Sequence, residues 1–382
     1  MSNKKEIKGE IYTMSTIPFT NGDQRKTLED IMNEENTVPV ELYDEEEALV
    51  DTEDYFNVMT EDLLEFEEQA WNKGEGYQIP RFPMLTQHLE GLEAGLYLLP
   101  AESNAGKSAT MMNIVEDMAM YEPNKLFGLY FSLDDSKHEI IPRVIAMREA
   151  INISTVSKPQ RIQKMIDEGH ENSAELQIEL DKRAQGIENL KANSNKMMIV
   201  DSNKVRTLDE IKAYIERVIN YVKALDPEAN VVVAIDSVKD IILDDHYGIK
   251  TTNEASDFIA RAVKHWTVEF NIPIFSSVHL RKLNGNRRPT LDDLKDSNVL
   301  VYEASVIWLL FNDVSKNKQA AKLFYREEGN DDKLPVVEFD WAKNKKSSFK
   351  GRTFCYFAPQ MSRATECGVD ATRRFNALLY EA

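Results

Sequence analysis

The feature that most constrains the fold is a short loop between an apolar segment and an amphipathic one. Residues 96–99 are apolar and predict a buried strand, and residues 109–118 continue with helical spacing. The loop between them has the spacing of the phosphate-binding pattern GxxxxGK[ST], with alanine in place of the first glycine. The fixed positions of this pattern are Ala101, Gly106, Lys107 and Ser108. The loop pattern alone could occur by chance. The strand before it and the helix after it make the match specific, so the sequence predicts a P-loop.

The predicted P-loop implies ATP and Mg²⁺ as ligands. Backbone N–H groups of such a loop, together with the helix N-terminus that follows, form a concave anion site. In that geometry Lys107 contacts the β- and γ-phosphates, and the Ser108 hydroxyl is a Mg²⁺ ligand. The residues predicted to bind the nucleotide are Ala101, Glu102, Ser103, Asn104, Ala105, Gly106, Lys107, Ser108 and Ala109.

Charge is distributed unevenly along the 382 residues. Residues 27–72 contain 17 Asp and Glu but no Lys or Arg, which leaves only −2 of the net charge of −19 for the remainder. The body of the chain is thus compatible with a nucleic-acid partner despite the acidic total. The chain has no membrane span or signal peptide pattern, and its two cysteines, Cys355 and Cys367, have no metal-ligand spacing. We therefore expect a cytoplasmic protein without a membrane partner.

Three regions are predicted. Residues 1–75 form an acidic N-terminal arm or linker, residues 76–360 a P-loop ATPase domain, and residues 361–382 a C-terminal tail. The acidic region also contains apolar residues such as Tyr55, Leu63 and Phe66. A solvated linker and a helix that docks on a neighbouring subunit or partner are both compatible with this composition.

Strands alternate with helices through most of the ATPase region, which predicts an α/β fold with a mostly parallel sheet covered by helices on both faces. The predicted strands are residues 96–99, 125–133, 196–200, 230–236 and 272–279. After residue 279 the pattern changes to short apolar segments separated by polar loops. These segments predict an antiparallel extension of the sheet, with strands at residues 299–311, 323–326, 336–341 and 353–357.

Polar residues at the ends of the predicted strands supply the chemistry that a P-loop requires. Asp236 ends an apolar strand and is the predicted Mg²⁺ carboxylate, whereas an ordinary capping aspartate is the alternative. Asp134 is placed to orient or deprotonate the attacking water, and Asp135 is its close competitor. His279 is either a sensor of the γ-phosphate or a satisfied polar residue at a strand end.

Two basic clusters lie in the second half of the chain. The first surrounds a turn-prone tip at residues 284–286, and the second follows the predicted strand at residues 336–341. Their members are Arg281, Lys282, Arg287 and Arg288 in the first cluster and Lys343, Lys345, Lys346, Lys350 and Arg352 in the second. Such loops commonly meet phosphates, but a solvated basic loop has the same composition.

At these residues the chain resembles the ATPase domain of DnaB-type replicative helicases, which are hexameric RecA-like P-loop ATPases. The resemblance runs from about Gln78 to Phe357. The similar segments are FSLD at 131–134, VAID at 233–236, SSVHLR at 276–281, RP at 288–289 with DLKDSN at 293–298, and WAKNK at 341–345.

The resemblance implies a ring that binds single-stranded DNA. It implies that the loop ending at Asn298 lines the central channel, with DNA-binding residues Arg281, Arg287, Arg288, Lys295, Asp296 and Asn298. Basic residues of the last segment, Lys343 and Lys345, would reach the nucleotide of the adjacent subunit. The catalytic residues implied are then Lys107, Asp134, Asp236, His279, Lys343 and Lys345, with Ser108 and Asp236 as metal ligands.

Several positions depart from the family pattern. Asp134 replaces a catalytic glutamate, His279 a sensor glutamine, Asn298 a glycine, and Lys345 an arginine finger whose bidentate geometry a lysine lacks. The acidic segment stands where the family has a helical N-terminal domain, so we interpret the chain as phage or mobile-element encoded, with replication proteins as partners of that segment.

The expected function is an ATP-dependent helicase that translocates on single-stranded DNA during replication. A DNA-stimulated recombinase- or clock-type ATPase without unwinding remains an alternative. So does a weakly hydrolysing nucleotide-binding ring that acts as a scaffold or helicase regulator.

Overall fold

The apolar segments form one large twisted sheet in a computed structural model that describes residues 52–72, 74–327, 329 and 331–380. Side chains at 52–59, 69, 72, 295–298 and 380 are outside this description. Within the described residues the strand order is β10-β9-β8-β6-β1-β5-β4-β2-β3, and β7 pairs with β8. The strands are β1 (Gly95–Ala101), β2 (Leu126–Ser132), β3 (Met197–Asp201), β4 (Asn230–Asp236), β5 (Pro273–His279), β6 (Val306–Asn312), β7 (Phe324–Tyr325), β8 (Leu334–Asn344), β9 (Arg352–Ala358) and β10 (Arg363–Glu366).

The six strands from β3 to β6 in this order are parallel, and β8, β9 and β10 extend the sheet antiparallel. The predicted α/β class with a mostly parallel sheet is therefore confirmed. The strand β6 was expected in the antiparallel extension but belongs to the parallel part of the sheet. It pairs parallel with β1 on one side and antiparallel with β8 on the other.

The predicted N-terminal arm or linker, residues 1–75, lies mostly outside the described residues, since residues 1–51 all fall there. Residues 52–72 form the helix α1 (Thr52–Asn72). Its exposed apolar side chains are Leu63, Leu64, Phe66 and Trp71. Within the described part of the chain, no helix is both long and apolar enough to cross a bilayer.

Helices of the second unit, which begins at Lys73, cover both faces of the sheet. They are α2 (Pro83–Leu89), α3 (Lys107–Met120), α4 (Lys137–Glu149), α5 (Ile153–Ser157), α6 (Pro159–Asp167), α7 (Ser173–Ala192), α8 (Leu208–Leu225), α9 (Thr252–Glu269), α10 (Asn298–Glu303), α11 (Asp313–Asn317) and α12 (Val369–Tyr380). Alternate residues of each parallel strand point to opposite faces. Tyr130 and Ala234 pack with α3, for example, whereas Leu129 and Val233 pack with the core that contains α8 and α9.

Two parts of the C-terminal third differ from the sequence prediction. The predicted strand at residues 299–311 is wrong in its first half, where α10 buries Leu300 before β6 begins at Val306. A short apolar run does not distinguish a helix from a strand, and tertiary packing decided the outcome. Residues 363–380, which we predicted as a tail, include β10 paired with β9 and the helix α12.

Candidate nucleotide-binding site

The predicted P-loop connects β1 to α3 at the carboxyl edge of the parallel strands. Asn104 and Gly106 both have positive φ, 62° and 98°. Gly106 caps the helix, and a Cβ there would also lie 3.2 Å from the Phe357 ring, so both conformation and space favour glycine. The first N–H groups of α3 have no partners within the helix and face the loop, as an anion site requires.

Lys107 begins α3 and is buried, with only 6% of its surface exposed. Its Nζ donates a hydrogen bond to the Glu102 carbonyl oxygen at 3.0 Å. Burial lowers the pKa of Lys107, and the nearby Asp236 carboxylate partly opposes that effect. A buried ammonium of this kind suits an anionic ligand, because the ligand supplies the charge that the protein leaves only partly compensated.

Asp236 ends β4 and is held by two neighbouring strands. Tyr130 on β2 donates its hydroxyl to Oδ2 at 2.7 Å, and Ser277 on β5 donates its hydroxyl to Oδ1. The carboxylate therefore has a fixed position near Lys107. Such hydrogen-bonding partners orient a carboxylate that binds metal.

Asp134 and Asp135 follow β2 and have different surroundings. Asp135 forms an ion pair with Arg143 of α4, with 2.6 Å between Oδ2 and Nη1. Asp134 is exposed at the same edge of the sheet. Asp135 is thus held by the helix that follows it, α4, and Asp134 is the better candidate for a water-orienting carboxylate.

His279 lies opposite Ala101 in the register of β5 and β1. Burial and the positive charge of Lys107 lower its pKa, whereas Asp240, Asp236 and Asp134 act in the other direction. Its neighbours therefore include Lys107, Asp236 and Asp134 of the predicted site. A neutral imidazole there can donate to, or accept from, a group bound by the P-loop.

The side chains at this edge are chemically suited to bind Mg²⁺ and a nucleoside triphosphate. Ser108 at the start of α3 and Asp236 supply hydroxyl and carboxylate oxygens, which are the ligand types that Mg²⁺ prefers. The assignment of individual residues to metal or nucleotide stays a prediction.

Lys343 and Lys345 lie near the opposite edge of the sheet. Lys343 pairs with Ile307 of β6, which pairs with Leu98 of β1. Ala101 is three residues beyond Leu98, about 10 Å along the strand and two strand spacings away from β8. These lysines are therefore beyond reach of the P-loop of their own chain.

Both lysines contact the end of α10. Their Nζ atoms donate to the Tyr302 carbonyl oxygen at 2.9 and 3.1 Å, and Lys343 also donates to the carbonyl of Val301. Burial and the charge of Lys345 lower the pKa of Lys343 to about 8. Lysines near the end of a helix also stabilise it by donating to its last carbonyls. This structural role is the alternative to a catalytic role for Lys343 and Lys345.

The first basic cluster forms the loop of residues 281–288 after β5, called the basic loop below. Arg287 forms an ion pair with Asp293, and Arg288 forms one with the buried Glu338 at 2.7 Å. Both arginines thus have partners within the chain, whereas the tip at residues 284–286 is exposed. The side chains of the other DNA-binding candidates, Lys295, Asp296 and Asn298, lie outside the described residues, and their role stays a prediction.

The amino-acid sequence of this domain matches a known protein family. The family described as DnaB-like helicase C terminal domain matches residues 80–364. The chain belongs to this family.

Individual DnaB relatives are distant. The chain is 27% identical over 253 residues to "Replicative DNA helicase DnaB" of Mycoplasma pneumoniae, covering 63% of this chain and 48% of the relative. It is 24% identical over 266 residues to "Probable replicative DNA helicase" of Trieres chinensis, covering 68% and 50%. The chain thus spans about half the length of these relatives.

Solved structures support the DnaB-like fold. "The Structure Of A DnaB-Like Replicative Helicase And Its Interactions With Primase" superposes with a TM-score of 0.62 at 20% identity, covering 80% of this chain and 68% of that one. A second solved structure, which consists of an ATPase domain, has a TM-score of 0.63 at 20% identity, covering 81% and 99%. The predicted RecA-like core of the DnaB type is confirmed.

Sequence reasoning did not predict what the Glu102 side chain does in this DnaB-like domain. Its carboxylate forms an ion pair with Lys316 of α11 and accepts the N–H of Leu283. A pocket of about 430 Å³ beside the P-loop is lined by Glu102, Leu283 and Lys316 together with Lys282 and Phe311. No motif spacing links positions 102, 283 and 316, which only the fold brings together.

Proposed function

We propose that this chain is an ATP-dependent DNA helicase that forms a ring and translocates on single-stranded DNA during replication. The observation that supports the proposal most is the placement of charged residues on the sheet. Lys107, Asp236 and His279 meet at the carboxyl edge, and Lys343 and Lys345 lie near the other edge. A site divided in this way is completed by repeating one contact from subunit to subunit, which gives a ring when the rotation between subunits closes.

The chain's own residues divide the work of hydrolysis. Lys107 would exchange its hydrogen bond to the Glu102 carbonyl for the β- and γ-phosphates, and Ser108 and Asp236 would hold Mg²⁺, whose charge would offset that of the phosphates. Asp134 orients the attacking water, and His279 responds to the γ-phosphate. Lys343 and Lys345 of the neighbouring subunit stabilise charge in the transition state.

The proposed DNA contacts are made by the basic loop and by residues 295–298. Contacts to phosphates release counterions, so affinity for single strands falls with salt by about 0.7 logarithmic units per contact and per tenfold salt. Replacing Arg281 and Lys295 together by alanine should flatten the slope by about 1.4. The matched control replaces Lys182 and Lys223, exposed on α7 and α8, and should keep the slope.

The test of the function combines three measurements on the full chain: ATP turnover with and without single-stranded DNA, strand displacement on a forked duplex, and mass by light scattering with and without nucleotide. We expect DNA-stimulated turnover, displacement and a multimer. ATP turnover without displacement would instead favour a recombinase- or clock-type ATPase, and an unchanged salt slope in the double variant would place the DNA elsewhere.

A second candidate function is a nucleotide-binding ring that hydrolyses ATP weakly and serves as a scaffold or regulator. The favouring observation is Asp134, which is one methylene shorter than the glutamate of the family pattern and is exposed rather than held by neighbours. Tight nucleotide binding without measurable turnover would support it. Restoration of turnover by Asp134→Glu would identify this position as the cause.

The acidic N-terminal segment is proposed to contact other replication proteins or a neighbouring subunit through the exposed apolar residues of α1. Removal of residues 1–72 should then weaken assembly or partner binding without loss of nucleotide binding. A truncated chain with unchanged mass and unchanged partners would contradict this role.

A further inference from the structure

The Glu102 side chain joins the P-loop to the basic loop. One carboxylate oxygen accepts the N–H of Leu283 at 2.9 Å, and both oxygens accept from Nζ of Lys316 at 2.6 and 2.8 Å. The same Nζ donates to the Leu283 carbonyl at 3.4 Å. One ion pair therefore contacts both backbone groups of Leu283, and a movement of Glu102 either carries Leu283 with it or breaks these hydrogen bonds.

The backbone of Glu102 is connected to the phosphate-binding lysine. Lys107 Nζ donates to the Glu102 carbonyl at 3.0 Å. In the proposed function that ammonium binds phosphate, so the hydrogen bond to Glu102 is lost when nucleotide enters. A ligand shifts a conformational equilibrium only through contacts that differ between the states, and this contact differs.

The pair of Glu102 and Lys316 is only about one-fifth exposed. Charge-assisted hydrogen bonds in such a position are stronger than those of a fully exposed pair. A second tie runs from the Ser315 hydroxyl of α11 to the Asn104 carbonyl at 3.1 Å. The P-loop apex and α11 are thus linked at two points.

The other end of the basic loop is fixed separately. Arg288 forms its ion pair with the buried Glu338 of β8 and lies 4.9 Å above the Phe311 ring. With that end anchored, displacement of Leu283 changes the shape of the exposed tip at residues 284–286 rather than carrying the loop as a rigid body.

We propose that Glu102 and Lys316 transmit occupancy of the P-loop to the basic loop, so that the loop tip changes conformation when nucleotide takes Lys107 away from the Glu102 carbonyl. The proposal rests on the proposed function for the role of Lys107 and for the consequence at DNA. Glu102 and Lys316 are positioning residues in this scheme, since they act on the loop and not on the reacting atoms.

The test reads the loop directly. Asn286→Cys at the exposed tip carries an environment-sensitive fluorophore, and labelling is selective because Cys355 and Cys367 are buried. In the otherwise wild-type chain, saturating MgADP or a non-hydrolysable ATP analogue should change the fluorescence. Lys316→Met should bind these nucleotides with wild-type affinity and reduce the fluorescence change about fivefold or more.

Two further variants control the result. Lys318→Met removes a lysine from the same pocket but keeps the pair of Glu102 and Lys316, and should respond as wild type. Glu102→Gln keeps an oxygen for the Leu283 N–H but loses the ion pair, and should reduce the response even if Lys316→Met does not fold. Combining it with Lys316→Met should reduce the response no further, because both act through one contact.

DNA binding separates this inference from the proposed function. Wild-type affinity for single strands should differ about fivefold or more between the nucleotide-free chain and the chain saturated with the ATP analogue, and Lys316→Met should bring that ratio close to one. A wild-type loop that ignores nucleotide, or a full response in both Lys316→Met and Glu102→Gln, overturns the inference. A loop that responds in a chain that binds no DNA overturns the proposed function and leaves the inference standing.

Discussion

Asp236 shows how neighbouring strands define a single functional side chain. The sequence identifies an aspartate at the end of an apolar strand, but its two partners are separated from it by 106 and 41 positions along the chain. Tyr130 is fully buried, and burial, followed by the negative charge of Asp236 and the hydrogen bond to it, raises the pKa of its phenol well above the ordinary value. The hydroxyl thus stays protonated and serves as a donor to the carboxylate.

A change of Tyr130 to phenylalanine removes that donor while keeping the ring in the core. Loss of an orienting hydrogen bond to a metal-binding carboxylate costs about 10- to 100-fold in metal affinity. We expect the Mg²⁺ concentration for half-maximal ATP turnover to rise about tenfold. Melting temperatures of wild type and variant control for loss of packing.

Lys107→Ala is the reference for this measurement, since it should abolish nucleotide binding at every Mg²⁺ concentration. A Tyr130→Phe enzyme with the wild-type Mg²⁺ dependence would show that Asp236 does not bind the metal or does not need this donor.

At the scale of elements, Glu366 joins the last strand to the first helix of the domain. Its carboxylate accepts the N–H groups of Met84 and Leu85 at 2.6 and 3.0 Å, so β10 caps α2. Burial raises the pKa of Glu366 from 4.5 to about 7, although the two N–H donors act in the other direction. Between these pH values the folded chain binds more protons here than the unfolded chain.

The stability contributed by this protonation is complete below about pH 4.5 and is lost as the pH rises to about 7. Glu366→Gln removes the titration and keeps one acceptor oxygen. We expect its melting temperature to rise relative to wild type as the pH increases from 4.5 to 7, measured by circular dichroism at matched ionic strength. A difference that is constant with pH would contradict the raised pKa.

Elements with a clear period were predictable, and those defined by distant contacts were not. The strand ending at Asp236 and the helix after Lys107 follow from local apolar patterns. The strand β10 has four residues, of which only Ala364 is buried, so its pairing with β9 has almost no local signal. The same reason explains Glu102, whose partners are set by the three-dimensional position of the loop and α11.

At the scale of the whole molecule, the sheet separates the two halves of the proposed catalytic site. The nucleotide-binding half lies at the carboxyl ends of the parallel strands. Lys343 lies near the end of β8, which runs in the opposite direction, and Lys345 directly follows that strand. Antiparallel pairing thus places Lys343 and Lys345 beyond reach of their own P-loop. In the proposed ring they would act on the nucleotide of a neighbouring subunit, and turnover would depend on assembly.

Lys345→Ala should therefore leave nucleotide binding nearly intact and lower ATP turnover about 100-fold or more, as loss of a cation that acts in the transition state does. Mixing this variant with Lys107→Ala should restore part of the turnover, because some interfaces then pair an intact P-loop with an intact Lys345. Lys345→Arg keeps the charge, adds bidentate geometry and should preserve or raise the rate.

Light scattering shows whether each variant still assembles, which separates a lost catalytic group from a lost interface. A monomer that hydrolyses ATP at the full rate and is insensitive to every change at Lys345 would exclude a site shared between subunits, because all its catalytic groups would then come from one chain.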